Sequence, residues 1–236
     1  MNEIFCKDYV DFLNSIDDDS VDLVITDPPY GISDPKKVRI SSKNNEKYSI
    51  SSGNFGEEDK DVGLDWFSSV YRILRPGGNF ILFSGYDQQI KIKEKAKEVG
   101  LQPKQPWYWC KSNSSPTPRK NMVSSVENGW LIKKPNGENI WNGGYTTKNY
   151  FIGPFYSATY KSGKRIHPMQ KPAWLIKEMV MLWSKEEDII IDPFCGSGEV
   201  AVQAILNNRQ YMCCDISEKY VNATIKRLEE LKNDNI

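Results

Sequence analysis

Residues 188–215 constrain the fold of this chain more tightly than any other stretch. Asp188-Ile189-Ile190-Ile191 has strand character, Asp192-Pro193-Phe194-Cys195-Gly196-Ser197-Gly198-Glu199 forms a glycine-rich turn, and Val200-Ala201-Val202-Gln203-Ala204-Ile205-Leu206 has a helical pattern. A second strand-like run, Gln210-Tyr211-Met212-Cys213-Cys214, follows and ends in Asp215. Strand, tight turn, helix and strand in sequence predict a βαβ unit, which belongs in a parallel sheet. The glycines allow a ligand to approach bare backbone and rest on helix N–H groups. An acid at the tip of the second strand is placed to accept hydrogen bonds from ribose hydroxyls. Gly196-Ser197-Gly198 lacks the third glycine of a dinucleotide fingerprint, so its context carries this reading rather than the triplet itself.

A second polar corner stands far upstream. Val21-Asp22-Leu23-Val24-Ile25-Thr26 reads as a buried strand and runs directly into Asp27-Pro28-Pro29-Tyr30. In open α/β sheets, ligands bind at the carboxyl ends of strands. The two prolines fix φ and remove two N–H donors, which leaves the Asp27 and Pro28 carbonyls as acceptors. A carboxylate, carbonyls and a flat ring on a stiff turn suit a planar amino-bearing ring, held by its N–H donors and its face. A nucleobase with an exocyclic amine has that shape.

Along the chain, strands are expected near 3–6, 21–26, 79–84, 106–110, 128–133, 188–192 and 210–214. Helices are expected near 9–14, 64–74, 87–99, 172–184, 199–207 and 217–232. This alternation predicts an α/β fold, a mainly parallel sheet with helices on both faces. A length of 236 residues suits one substantial core and is short for two, so 1–236 reads as a single domain. Residues 33–62, rich in Ser, Lys, Asn and Gly, read as a long loop after the Asp27 corner, placed as a lid. Residues 135–165 read as irregular.

Net charge is zero, yet its distribution is uneven. Between 104 and 171 stand Lys104, Lys111, Arg119, Lys120, Lys133, Lys134, Lys148, Lys161, Lys164, Arg165 and Lys171, against Glu127 and Glu138. Residues 1–65 have an acidic excess. A basic middle is read either as phosphate contacts on one face or as a solvated loop-rich surface. Interleaved aromatics, among them Trp107, Trp109, Trp130, Trp141 and Tyr145, mostly suit a core, with one or two suited to stacking on unpaired bases. The five cysteines lack a Cys-x-x-Cys pair and are expected as reduced, mostly buried thiols. With a single histidine and no ligand spacing, no metal site is expected. No signal peptide and no apolar run of about 20 residues are seen, so no membrane partner and a cytoplasmic location are expected.

Taken together, the two corners resemble the amino-group DNA methyltransferases that use S-adenosylmethionine, in the permuted β-type order. In that family the catalytic Asp-Pro-Pro-Tyr comes first, the target-recognition segment lies in the middle, and the glycine-rich cofactor motif comes last. His167-Pro168-Met169-Gln170-Lys171-Pro172 resembles the segment that lines the methionine end of the cofactor. Leu74-Arg75-Pro76-Gly77-Gly78-Asn79-Phe80 is similar to the family's helix-turn-strand after the catalytic motif. Ile4-Phe5-Cys6-Lys7-Asp8 resembles the N-terminal strand whose acid approaches the cofactor adenine, although the family carries Gly where this chain has Lys7. The likeness is weakest at 34–62 and 135–165.

The resemblance implies a Rossmann-like methyltransferase fold with a catalytic half at about 1–105, a target-recognition insert at about 106–165 and a cofactor half at about 166–236. It implies catalytic Asp27, Pro28, Pro29 and Tyr30, and cofactor contacts from Asp8, Lys171, Asp192, Phe194, Gly196, Ser197, Gly198 and Asp215. The implied cofactor is S-adenosyl-L-methionine, and the implied partner is double-stranded DNA in a bacterial, archaeal or phage setting such as restriction-modification. A homodimer is a further expectation from the resemblance. Asp at position 27 is similar to adenine-N6 enzymes, with N4-cytosine as the alternative. RNA or protein methylation and a non-catalytic DNA-binding subunit stand as further alternatives. A ring-carbon cytosine enzyme would need a Pro-Cys turn, which is absent. Blander roles remain open for several residues: Gly196 and Gly198 as packing glycines, Asp215 as a helix cap, His167 as a structural donor, and Asp192 as a support for the glycine loop.

Overall fold

The computed structural model describes residues 2–30, 39–43, 46–50, 61–113, 122–155 and 170–234. Its centre is an eight-stranded sheet in the order β1-β10-β9-β2-β5-β7-β6-β8. The strands are β1 (Asn2–Cys6), β2 (Val21–Thr26), β5 (Leu74–Ser84), β6 (Gln102–Lys111), β7 (Val126–Lys133), β8 (Tyr150–Gly153), β9 (Ile189–Asp192) and β10 (Gln210–Asp215). From β1 to β5 every neighbouring pair is parallel. Then β7 runs antiparallel to both β5 and β6, and β8 pairs parallel with β6. The expected α/β architecture is therefore present, with an antiparallel step at one side. This is the Rossmann-like fold.

Alternation along the central strands feeds two cores. Val24, Phe80 and Leu82 face α1 (Tyr9–Asn14), α2 (Phe67–Ile73) and α3 (Gln89–Glu98), through Phe12, Phe67, Val70 and Ile92. Leu23, Ile25, Ile81 and Phe83 face the other way, among residues of α4 (Ala173–Trp183) and α5 (Glu199–Leu206) such as Leu175, Met179 and Ala201. Leu228 of α6 (Glu218–Asp234) joins that second core. Successive strand residues point to opposite faces, so a strand sandwiched between helices must be apolar throughout. From Val21 to Ile25 that holds apart from half-buried Asp22, whose carboxylate accepts from Arg75 Nε at 2.5 Å and from the Ile189 N–H at 2.8 Å.

Three sequence expectations are revised. The stretch 33–62 contains an antiparallel hairpin, β3 (Arg39–Lys43) with β4 (Glu46–Ile50), although its role as a lid rests on residues largely outside those described. The stretch 135–165 contributes an edge strand, β8, because Tyr150–Gly153 finds ladder partners in Tyr108–Lys111. Strand β5 begins at Leu74, five residues before the expected 79, since Val21 pairs with Leu74 ahead of a register shift.

The order of strands reverses between β2 and β9. Chain connections leave β2 toward β5 on one side and β9 toward β10 on the other. The crevice outside the carboxyl ends of two such strands is where open α/β sheets bind ligands. Those ends carry Asp27 and Asp192.

Candidate active site

Both sequence corners open onto one crevice. Its lining includes Thr26, Asp27, Phe83, Gln170, Lys171, Asp192, Phe194, Gly196, Ser197 and Glu199, and it encloses about 480 Å³ with its open mouth. The corners are also bonded to each other: Thr26 Oγ1 donates to Asp192 Oδ1 at 2.6 Å, and both residues are buried.

The glycine loop is built from backbone and two carboxylates. Asp192 Oδ1 also accepts from the Phe194 N–H at 3.1 Å, and Asp215 Oδ2 accepts from the Gly196 N–H at 2.8 Å. Gly198 caps α5 in the left-handed region at φ 70°, where a side chain is rarely tolerated. A Cβ there would also meet Thr224 Cγ2 at 2.0 Å. Phe194 is wedged against the rings of Tyr9 and Trp66, at 5.0 and 5.4 Å between centroids. Below the loop, Glu199 and Arg227 form a buried ion pair at 2.7 Å, and Arg227 Nη1 donates to the Ser197 carbonyl at 2.9 Å. Burial pushes the Asp192 carboxyl up to about 7, with the charges of Asp27 and Asp215 adding to the rise against the two hydrogen bonds it accepts.

The Asp27 corner holds a charged chain. Tyr30 Oη donates to Asp27 Oδ1 at 2.8 Å, and the Lys171 ammonium pairs with Asp27 Oδ2. Lys171 Nζ lies 3.5 Å from Glu127 Oε2 and 4.9 Å from the centre of the Phe83 ring. Glu127 Oε1 in turn pairs with Lys111 at 2.6 Å. Burial opposes the charge on Lys171, but Asp27 and Glu127 outweigh it and hold the ammonium well above the usual lysine range. For Glu127, burial raises the carboxyl and the charges of Lys171 and Lys111 overcome it, leaving it below the usual carboxylate range. Burial, then the Asp27 charge, lifts the Tyr30 phenol well above its ordinary value.

The structure thus gathers Asp27, Lys171, Asp192, Phe194, Gly196 and Ser197 around one space. Pro28 and Pro29 carry the chain from Asp27 to Tyr30. Gly198 and Asp215 shape the loop from behind. Asp8 stands apart: it is exposed and caps α1, accepting from the Val10 N–H at 2.8 Å, two residues beyond the Cys6–Asp215 pairing at the same sheet edge. His167, Pro168 and Met169 lie outside the described residues. The basic segment divides: Lys111 and Lys171 pair with Glu127 and Lys134 with Asp19, while Arg119, Lys120, Lys161, Lys164 and Arg165 lie outside the described residues. Trp107, Trp109 and Trp130 belong to the core, whereas Trp141 and Tyr145 are exposed.

Sequence reasoning missed Thr26, Glu127, Lys111 and Glu199 as site residues. Glu127 had one signal, as one of two acids among eleven bases between 104 and 171. The donor set suits a cationic adenosyl cofactor. Asp27 and Asp192 line the crevice, with Asp215 at the adjoining strand end behind the loop; these acids suit a cation or ribose hydroxyls, and Phe194 supplies an apolar ring. Among the described residues no group of His, Cys, Asp or Glu is placed to hold a metal ion, and no helix is long and apolar enough to cross a membrane.

Comparison with known proteins agrees with this geometry. The family model for DNA methylases of the N6/N4 type matches residues 21–226. The type II methyltransferase M2.DpnII of Streptococcus pneumoniae is 25% identical over 240 residues, covering 94% of this chain and 88% of the relative. M.HpaI of Haemophilus parainfluenzae is 26% identical over 259 residues, covering 96% and 74%. Among solved structures, M1.HpyAVI in complex with S-adenosylmethionine has a TM-score of 0.74 at 22% identity, over 97% of this chain and 99% of the other. The cytosine-N4-specific PvuII DNA methyltransferase has a TM-score of 0.72 at 19% identity, over 96% and 86%.

Proposed function

We propose, for a chain that belongs to the N6/N4 DNA methylase family, that it transfers the methyl group of S-adenosyl-L-methionine to the N6 amine of adenine at a specific site in double-stranded DNA. The observation that carries this reading is the shared crevice, with the Asp27 corner and the Gly196 loop bonded together through Thr26 and Asp192.

Asp192, Phe194, Gly196, Ser197 and Asp215 are the residues suited to hold the cofactor. When bound, it supplies an activated methyl group on a cationic sulfur. The residues of this chain supply orientation and charge. The exocyclic amine of adenine is a poor nucleophile because its lone pair is delocalised into the ring. Asp27 and the Pro28 carbonyl accept its two N–H bonds, draw the nitrogen toward tetrahedral geometry and aim the lone pair. Orientation of this kind supplies on the order of 7–11 kcal/mol in favourable cases. The base must leave the duplex to reach this corner, and Tyr30 gives it a ring to lie against.

A cytosine-N4 acceptor is the second reading. The same corner suits either exocyclic amine, and the PvuII enzyme that shares the fold is cytosine-N4-specific by name. Asp at position 27 favours adenine. Expression in a methylation-free host, with modified bases mapped by single-molecule sequencing, tests base and site together. Methyl-adenine at a fixed sequence is the expected result; N4-methylcytosine would select the second reading. Unmodified DNA from a folded, cofactor-binding protein would overturn both. Asp27→Ala is expected to abolish transfer and keep cofactor affinity within a few-fold.

A further inference from the structure

In the structure both oxygens of Asp27 are taken, Oδ1 by the Tyr30 hydroxyl at 2.8 Å and Oδ2 by the Lys171 ammonium. An arriving amine therefore competes with two partners already in place for the lone pairs of this carboxylate. We infer that Lys171 is a placeholder, and that Glu127 is a positioning residue that receives its ammonium when the target amine takes Asp27 Oδ2. The inference rests on the reading of Asp27 as the acceptor of that amine.

Lys171 is the partner built to move. Its ammonium is a rotatable point charge on a flexible stem, and its side chain is only 10% exposed, so leaving Asp27 for no partner would strand a buried charge. Glu127 Oε2 already stands 3.5 Å from Nζ. A shift of about 0.7 Å brings that contact to an ordinary charge-assisted length. Glu127 itself is anchored, because Lys111 holds Oε1 at 2.6 Å from β6 while Glu127 sits on β7. The Phe83 ring, 4.9 Å from Nζ, gives the cation a face along the way.

Two consequences follow. Asp27, Glu127, Lys171 and Lys111 sum to zero charge whichever carboxylate holds the ammonium, so the move adds no net cation beside a sulfonium. It also makes an N–H donor on the base the condition for displacing Lys171. A base edge without an N–H donor offers Asp27 nothing in exchange.

The test compares binding of the full chain, without cofactor, to two duplexes: one with the mapped target adenine and one with that base missing. Glu127→Gln is expected to weaken the adenine duplex roughly tenfold relative to the abasic one, because the displaced ammonium then lacks its charged partner. Glu127→Asp is expected to recover most of that ratio. In a Lys171→Met background, Glu127→Gln is expected to leave the ratio unchanged. The handover is overturned if Glu127→Gln weakens both duplexes equally or neither, or if its effect persists without Lys171. Should Lys171→Met fail to fold, the two duplexes with Glu127→Gln and Glu127→Asp decide alone, and an aspartate no better than glutamine sinks the idea. A normally active Asp27→Ala would instead remove the proposed function. An inactive Asp27→Ala beside an unchanged Glu127→Gln ratio removes only the handover.

Discussion

Thr26 and Asp192, 166 positions apart in the chain, meet in a 2.6 Å hydrogen bond between the carboxyl ends of β2 and β9. These strands are parallel neighbours, with Leu23 opposite Ile190 and Val24 opposite Ile191. The bond joins the Asp27 corner to the glycine loop at the point where the strand order reverses. Thr26→Val keeps the shape and removes the donor, leaving a buried carboxylate with one fewer partner. The expected loss is about 1–3 kcal/mol of unfolding free energy, read from urea midpoints at unchanged m-value. Cofactor affinity measured by calorimetry should fall as well.

Asp192 gives the stability a pH signature. Its carboxyl rises from 3.8 to about 7 on folding, through burial first and then the charges of Asp27 and Asp215. A raised acid means that the native state binds more protons than the unfolded state, so stability falls as pH rises across that window. The penalty is absent below the unfolded value and complete above the folded one. Asp192→Asn stays neutral throughout. Its stability relative to the parent should therefore improve from about pH 4 to pH 7, by at most about 1.4 kcal/mol per unit. A difference that is flat with pH in urea titrations would show that Asp192 is ionised throughout.

Gly198→Ala meets two obstacles. The backbone there is left-handed at φ 70°, and the new Cβ would lie 2.0 Å from Thr224 Cγ2, on a fully buried side chain. A loss of roughly 1–3 kcal/mol is expected from the backbone strain alone. Adding Thr224→Ala should restore part of the melting temperature by removing the Cγ2 clash, and leave in place the backbone share, the 2.9 Å approach of the residue 224 Cβ and the loss of the Thr224 hydroxyl bond to the Gly196 carbonyl. Full restoration would locate the whole cost in the clash.

The Glu199–Arg227 pair lies under the loop at 2.7 Å, with side chains 5% and 8% exposed. Arg227→Met leaves the Glu199 carboxylate buried without its cation, with hydrogen bonds from Gln203 and Gln170 remaining, and releases the Ser197 carbonyl. The expected destabilisation is about 3–5 kcal/mol. Pairing it with Glu199→Gln should return a large part of this in chemical denaturation, since the double variant buries no charge at this position.

The βαβ unit, the two polar corners and the alternation that buries β2 are legible from the residues alone. These rest on local causes: prolines that fix φ, glycines that permit it, and apolar residues spaced for a strand or a helix. The α-helices among the described residues also lie within a few residues of the expected positions. What each charge faces follows from the packing of elements distant in the chain. Val21–Thr26 was legible as a strand, but its neighbour β9 lies more than 160 residues away, and nothing local names that partner. Glu127 and Lys111 looked like members of a solvated basic segment, and only the antiparallel pairing of β6 with β7 put them beside Lys171. β8 was hidden for the same reason, since an edge strand of four residues takes its stability from a ladder supplied by Tyr108–Lys111 rather than from its own pattern. Local chemistry sets each element's shape. Which carboxylate holds which cation depends on distances between elements, and those exist only once the sheet has formed.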